Sequence, residues 1–210
     1  MLTKALLTDT LRAIKLVSKL PTVKEAYLAG GTALALHLGH RISEDLDFFT
    51  NHNFDEQVLS LELSKFKEFR EEGKSWKTIW GWLSKTKFSI FYYKYPLIEK
   101  AIEFEGIRIA NKEDIAAMKI HAIEERGTRR DFVDVYILAK EFSLEQMFLF
   151  YDKKYAVLED HLYGIIRSLS YFEDAEKEHQ MPKMIESVSW DEVKRFFEKE
   201  AVRLGRKYLH

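Results

Sequence analysis

The 210-residue sequence contains no cysteine, only three prolines, and no uninterrupted apolar run near 18 residues. The missing thiols exclude a disulfide framework, a thiolate zinc site and a cysteine nucleophile, and they fit a reducing compartment. So few prolines argue against a linker-rich or disordered chain. Without a long apolar run no transmembrane span is expected. The opening MLTKALLTDTLRAIKLVSKL carries charges at Lys4, Asp9, Arg12, Lys15 and Lys19, so no signal peptide is read there. A cytoplasmic protein with no membrane partner is the expectation. A charge excess is missing too: Lys plus Arg is 33 against 34 for Asp plus Glu, a formal net charge of −1. That balance excludes a chain-wide grip on nucleic acid and leaves any such contact to a local basic patch. The seven histidines include no HExxH pair, and His37 and His40 flank Gly39 without a third ligand nearby in sequence. A histidine metal centre is therefore not expected.

What is present suffices for a core. Hydrophobic residues make up 46% of the chain, and a chain of this length buries about 70% of its unfolded surface. Leu6, Leu7, Leu11, Ile14 and Val17 follow a helical rhythm within residues 2–20, ended by Pro21. KEAYLA (24–29) reads as a short extended run into Gly30-Gly31, TALALHL (32–38) as a helix closed by Gly39, and DLDFF (45–49) as a strand. Residues 55–72 read as an amphipathic helix. KTIWGWL (77–83) and KFSIFYY (87–93) predict an antiparallel pair, with a further strand or hairpin over 101–110 around Gly106. Most of the rings of Trp76, Trp80, Trp82, Phe88, Phe91, Tyr92 and Tyr93 should be packing, and a few exposed ones could stack on unpaired bases.

From Asn111 the apolar period lengthens from two to between three and four. Asn111 and Asp114 resemble an N-cap and first-turn acid of a helix through Ile123. Further helices are expected over 130–140, 143–151 and 158–171, and Ser189-x-x-Glu192 is a capping box opening a last one towards Leu204. The expected class is α+β: a mixed sheet with flanking helices over 1–110, then a helical region over 111–210 that completes an active-site cleft.

Three features with chemical potential fall between residues 30 and 47. Gly30-Gly31-Thr32 marks a strand-to-helix turn, where glycine lets backbone N–H groups approach a phosphate and the helix start adds partial positive charge. Asp45 and Asp47 alternate onto one strand face, about 6–7 Å apart, a spacing able to hold one or two hard cations. Residues 33–44 link them with room for a short helix and a return turn, which brings turn and carboxylates to adjacent strand ends. Arg41 could hold a triphosphate and Ser43 a phosphate oxygen or nucleophile. The plainer alternatives are a salt bridge from Arg41 to Glu44 or Asp45, and Ser43 as a turn cap.

GGTALALHLGHRISEDLDFF resembles the signature of AbiE-type toxins, members of the DNA polymerase β-like nucleotidyltransferase superfamily. Gly30, Gly31, Thr32, Ala33, Leu34, Arg41, Ser43, Asp45 and Asp47 match its pattern. EDIAAMKIHAIEERGTRRDFVDVYIL (113–138) is similar to the family's later motif, and the resemblance gives functional roles to Lys119, Asp131 and Asp134. It implies a nucleotidyltransferase fold and transfer of a nucleoside monophosphate from an NTP to an acceptor hydroxyl. Asp45 and Asp47 would hold Mg²⁺, with Mn²⁺ as a substitute. Gly30, Gly31, Thr32, Arg41 and Ser43 would bind the nucleotide, and Lys119 would meet charge on the phosphates. Asp131 or Asp134 would position the acceptor or metal. It also implies a toxin of a toxin–antitoxin or phage-defence pair, with RNA, a tRNA 3′ end foremost, as acceptor and an antitoxin protein as partner. Typical superfamily members carry a third carboxylate on a later strand. Residues 87–93 contain no acid, and Glu103 and Glu105 fall on a later segment. The rivals are an inactive nucleotide- or RNA-binding module of the same fold, and an interaction protein whose helical half docks a partner.

Overall fold

In the computed structural model, which describes residues 1–209, the helix before Pro21 has already ended at Val17, and Pro21 starts another. The opening segment is broken, not one helix. A 3-10 turn, Thr3–Ala5, leads into Leu6, which bridges Ser43, and α1 follows as Thr8–Val17. Main-chain bonds from Leu2 to the Leu36 carbonyl (2.7 Å) and from Ser43 to the Ala5 carbonyl (3.1 Å) satisfy that extended stretch. They also anchor the loop that carries Arg41 and Ser43. Pro21 stands at the first position of α2 (Pro21–Glu25), where its missing N–H is no loss.

The chain forms two compact units, Met1–Asn111 and a second from Lys112 onward. The first contains β1 (Tyr27–Leu28), α3 (Gly30–Leu38), β2 (Leu46–Thr50), α4 (Glu56–Leu63), β3 (Phe69–Ser75), β4 (Thr78–Leu83), β5 (Thr86–Tyr92), β6 (Ile102–Phe104) and β7 (Ile107–Ile109). These strands make one mixed seven-stranded sheet among the described residues, in the order β3-β4-β5-β2-β1-β7-β6. β2 pairs parallel with β5 and antiparallel with β1, and β1 pairs parallel with β7. The expected β4–β5 pair and the hairpin about Gly106 are both present, the latter with Glu105 (φ 48°) and Gly106 (φ 78°) in its turn. One sheet face is core: Leu46, Phe48, Ile79, Phe88 and Ile90 are all fully buried.

The amphipathic helix expected over 55–72 is corrected: it ends at Leu63, and Phe69–Ser75 is the edge strand β3. Phe-Arg-Glu-Glu-Gly-Lys is mostly good helix formers, but pairing with β4 overrides that preference, with a register shift between Glu71 and Gly73. A Cβ on Gly73 would stand 2.3 Å from the Trp80 ring, so the indole packs against the glycine beside the bulge.

The second unit is helical: α5 (Lys112–Glu125), α6 (Arg129–Leu138), α7 (Leu144–Tyr155), α8 (Leu158–Ser168), α9 (Glu173–Glu176) and α10 (Trp190–Tyr208). Ser189 and Glu192 form the expected capping box, and Ser143 with Gln146 forms another. Phe132, Phe172, Trp190 and Phe197 build an aromatic core, with centroids 5.0–6.0 Å apart. Lys154 of α7 and Asp114 of α5 form a buried pair at 2.7 Å. Burial pushes the Lys154 ammonium down from its ordinary pKa, and Asp114 offsets part of that. Among the described residues no helix is long and apolar enough to cross a membrane.

Candidate active site

Leu28 of β1 pairs with Phe48 of β2, and the next N–H, that of Ala29, donates to the Asp47 carbonyl at 3.1 Å. This pairing fixes the start of α3 beside the carboxylates. The two glycines there answer different demands. Gly30 has φ +68°, a left-handed conformation that opens the turn and that a side chain disfavours. A Cβ on it would stand 3.6 Å from Asp47 Oδ2. A Cβ on Gly31 would stand 2.1 Å from Arg41 Nη2, 3.2 Å from Arg41 Cζ and 3.4 Å from Ser43 Oγ. The guanidinium therefore lies against the first turn of α3, 3% exposed, and also donates to the Ile42 carbonyl at 3.2 Å. A cation against the positive end of a helix repels it, and the pair of positive potentials suits an anion.

Thr32 links this turn to the carboxylates. Its hydroxyl donates to the Asp45 main-chain carbonyl and lies 2.9 Å from Ser43 Oγ. A hydroxyl has one proton, and the carbonyl can only accept, so Ser43 is the donor to Thr32. Thr32, Ser43 and the Asp45 backbone thus form one buried chain.

Asp47 is half-buried on the face of β2 opposite Leu46 and Phe48, and Asp45 is half-buried one residue before the strand. In the β2–β5 register Asp47 stands opposite Ser89, whose hydroxyl donates to Asp47 Oδ1. Ser89 thus occupies the strand position beside the aspartate where a third acid was sought. Glu103 and Glu105 lie beyond β1 and β7, on β6 and in its hairpin turn, with Glu105 3.5 Å from Lys15. Sequence reasoning missed Ser89: a lone serine among aromatic residues gives no signal until the strand register is known. Among the described residues no group of three or more Asp, Glu or His side chains is gathered as a metal site. Two hard carboxylates do fit Mg²⁺ or Mn²⁺ bound with substrate phosphates and water completing the shell, the usual Mg²⁺ mode.

The other three residues singled out by sequence come together in the second unit. Lys119 of α5, 6% exposed, has its ammonium 2.9 Å from Asp131 Oδ1 and 2.7 Å from Asp134 Oδ2, both on α6. Asp131 also accepts from Arg126 Nε (2.9 Å), Arg126 Nη2 (3.2 Å) and Thr128 Oγ1 (2.6 Å). Burial alone would raise the Asp131 pKa, but Lys119, Arg126 and the Thr128 hydroxyl outweigh it and hold the carboxyl well below the usual range. Sequence reasoning left open whether the aspartates merely balance nearby arginines. Asp131 does pair with Arg126, and it holds Lys119 as well.

Known proteins resemble this chain along most of its length. The model of a family described as "Nucleotidyl transferase AbiEii toxin, Type IV TA system" matches residues 16–206. Protein aq_aa25 of Aquifex aeolicus (strain VF5), described as uncharacterized, is 37% identical over 196 residues, 90% of this chain and 92% of that one. Among solved structures, MenT4, the nucleotidyltransferase toxin Rv2826c of Mycobacterium tuberculosis H37Rv, superposes with a TM-score of 0.57 at 16% identity, covering 93% of this chain and 84% of that one. JHP933 of Helicobacter pylori gives 0.52 at 20% identity, covering 95% and 90%. At such identities the likeness is one of fold, the nucleotidyltransferase-like mixed sheet with helices.

Proposed function

Because this chain belongs to the AbiEii nucleotidyl transferase toxin family and is a nucleotidyltransferase, we propose that the carboxylates and glycine turn of its first unit move a nucleoside monophosphate from an NTP to an acceptor hydroxyl. The observation that carries this reading is the start of α3, with the Arg41 guanidinium against Gly31 on one side and the Asp47 carboxylate near Gly30 on the other. The N–H groups of the first turn and Arg41 hold the β- and γ-phosphates. Thr32 acts through the Asp45 carbonyl and Ser43 through Thr32, so both are positioning residues for the carboxylate pair. Ser89 holds the Asp47 carboxylate in place through its hydroxyl.

Asp45 and Asp47 would hold Mg²⁺ or Mn²⁺, which when bound supplies Lewis-acid stabilisation of charge on the transferring phosphoryl oxygens. The acceptor oxygen bonds to the α-phosphorus as the bond to the bridging oxygen of the β-phosphate breaks, and pyrophosphate leaves towards Arg41. Positioning and fixed charge do most of the work in such a transfer. Lys119, Asp131 and Asp134 are proposed as a second functional group on the strength of the family's later motif. Their support here is a lysine fixed between two carboxylates. The proposed acceptor is an RNA, a tRNA 3′ end first, and the proposed partner is an antitoxin protein; membership of a toxin family supports both.

The test is incubation of the protein with each α-labelled NTP, Mg²⁺ and total tRNA. Label on RNA from one preferred NTP is expected. Label on a polypeptide would overturn the RNA acceptor, and no label on either, with NTP binding measured, would overturn transfer by this site.

A further inference from the structure

The sheet face that carries Asp47 continues past the carboxylates. Side chains alternate along a strand, so Phe49 follows Asp47 on that face, about 6.6 Å further on. In the parallel β2–β5 register Asp47 stands opposite Ser89 and Phe49 opposite Phe91. β1 adds Tyr27 opposite Phe49, and just beyond β5 the Tyr93 N–H donates to the Thr50 carbonyl at 2.7 Å, which continues the ladder. The rings form one row. Tyr27 and Phe49 are stacked at 6.1 Å, Phe49 lies 5.5 Å from Phe91 and 5.3 Å from Tyr93, and Tyr93 lies 5.2 Å from Tyr95. Phe49, Phe91, Tyr93 and Tyr95 are half-buried, whereas Phe48, Phe88 and Ile90 on the opposite face are sealed. At the far end the exposed Lys94 stands over the Tyr95 ring at 5.1 Å.

We propose that this row, Phe49 and Phe91 at its centre, is the stacking platform for the unpaired terminal base of a nucleic-acid acceptor. The proposal rests on the transfer reading above, with the leaving phosphates at Gly31 and Arg41. In-line displacement puts nucleophile and leaving group on opposite sides of the α-phosphorus. Arg41 and Ser43 precede the carboxylates in the chain, and the aromatic row follows them along β2. The row therefore flanks the carboxylates on the acceptor's side. A half-buried ring that reaches the surface can stack on any base, and a lysine beyond it suits the next backbone phosphate. The acceptor's terminal hydroxyl oxygen bonds to the α-phosphorus, its proton passes to water, and pyrophosphate carries away the electrons of the broken bond.

The test is binding of a short fluorescent single-stranded RNA to the full chain without NTP, read by anisotropy, with NTP affinity measured separately. Phe49→Leu and Phe91→Leu keep an apolar side chain and remove the π-face, and an unchanged urea unfolding midpoint is required of each variant before RNA binding is read. The double variant should lose about fivefold to a hundredfold in RNA affinity, with NTP affinity unchanged. RNA affinity equal to wild type would overturn the platform. Lost NTP affinity with intact RNA affinity would overturn it also, and would assign the rings to the incoming base. Ring-dependent RNA binding by a wild-type protein that transfers no nucleotide would uphold the platform while the transfer reading fails.

Discussion

A methyl group on Gly31 would fall where the Arg41 guanidinium now lies, 2.1 Å from Nη2, so Gly31→Ala must push that flexible side chain away from the helix start. The expected outcome is a tenfold to hundredfold rise in Kd for Mg²⁺–NTP, the loss of about one charge-assisted hydrogen bond, with little change in stability. Gly30→Ala should do the reverse: the left-handed φ of +68° costs an L residue about 1 kcal/mol of stability. Equilibrium titration with NTP and urea unfolding of both variants would separate the two roles, and NTP binding by Gly31→Ala equal to wild type would remove Arg41 from the phosphate site. At this scale the glycines and Asp45-x-Asp47 were legible, because a glycine pair and a period-two acid pair are visible without tertiary structure. Ser89 was not: its meaning lies wholly in standing opposite Asp47. The bonding of Thr32 was not legible either, since only the structure gives its hydroxyl to the Asp45 carbonyl.

Between elements, the joint of α5 and α6 rests on a buried charge network whose hub is Asp131, 1% exposed. Asp131→Asn should destabilise the protein by about 3 kcal/mol at neutral pH, because the buried Lys119 ammonium then loses one of its two carboxylates and the exposed Arg126 loses its ion-pair partner. The pH dependence follows from the lowered folded-state pKa. The stability Asp131 supplies is fully present above its unfolded pKa of about 3.9 and is lost as pH falls through the lower folded value. Urea unfolding at several pH values should therefore show a constant gap between wild type and Asp131→Asn above about pH 4, closing as the solution becomes more acidic. A gap independent of pH down to strong acid would contradict the ion-pair account. The elements themselves were legible where period and caps agreed, as at Ser189-x-x-Glu192. They were misread where the two codes conflict: residues 69–75 carry helix-favouring side chains but answer to their strand partner β4.

For the molecule as a whole, the α+β class could be read from the change of apolar period, and family membership from two motifs in the right order. The sheet order could not be read. β2 lies between β5 and β1, with Leu46 and Phe48 buried beside Phe88 and Ile90, and no local signal in the chain names those neighbours. Yet it is this order that sets Ser89 beside Asp47 and the glycine turn beside both. Nucleotidyl transfer is proposed to rest on these carboxylates. The most direct measurement is the rate of label transfer from a saturating α-labelled NTP to RNA by wild type, Asp45→Ala and Asp47→Ala, each variant first checked for an unchanged unfolding midpoint. Loss of about a thousandfold or more in both folded variants is predicted, and transfer at the wild-type rate in either would contradict the account.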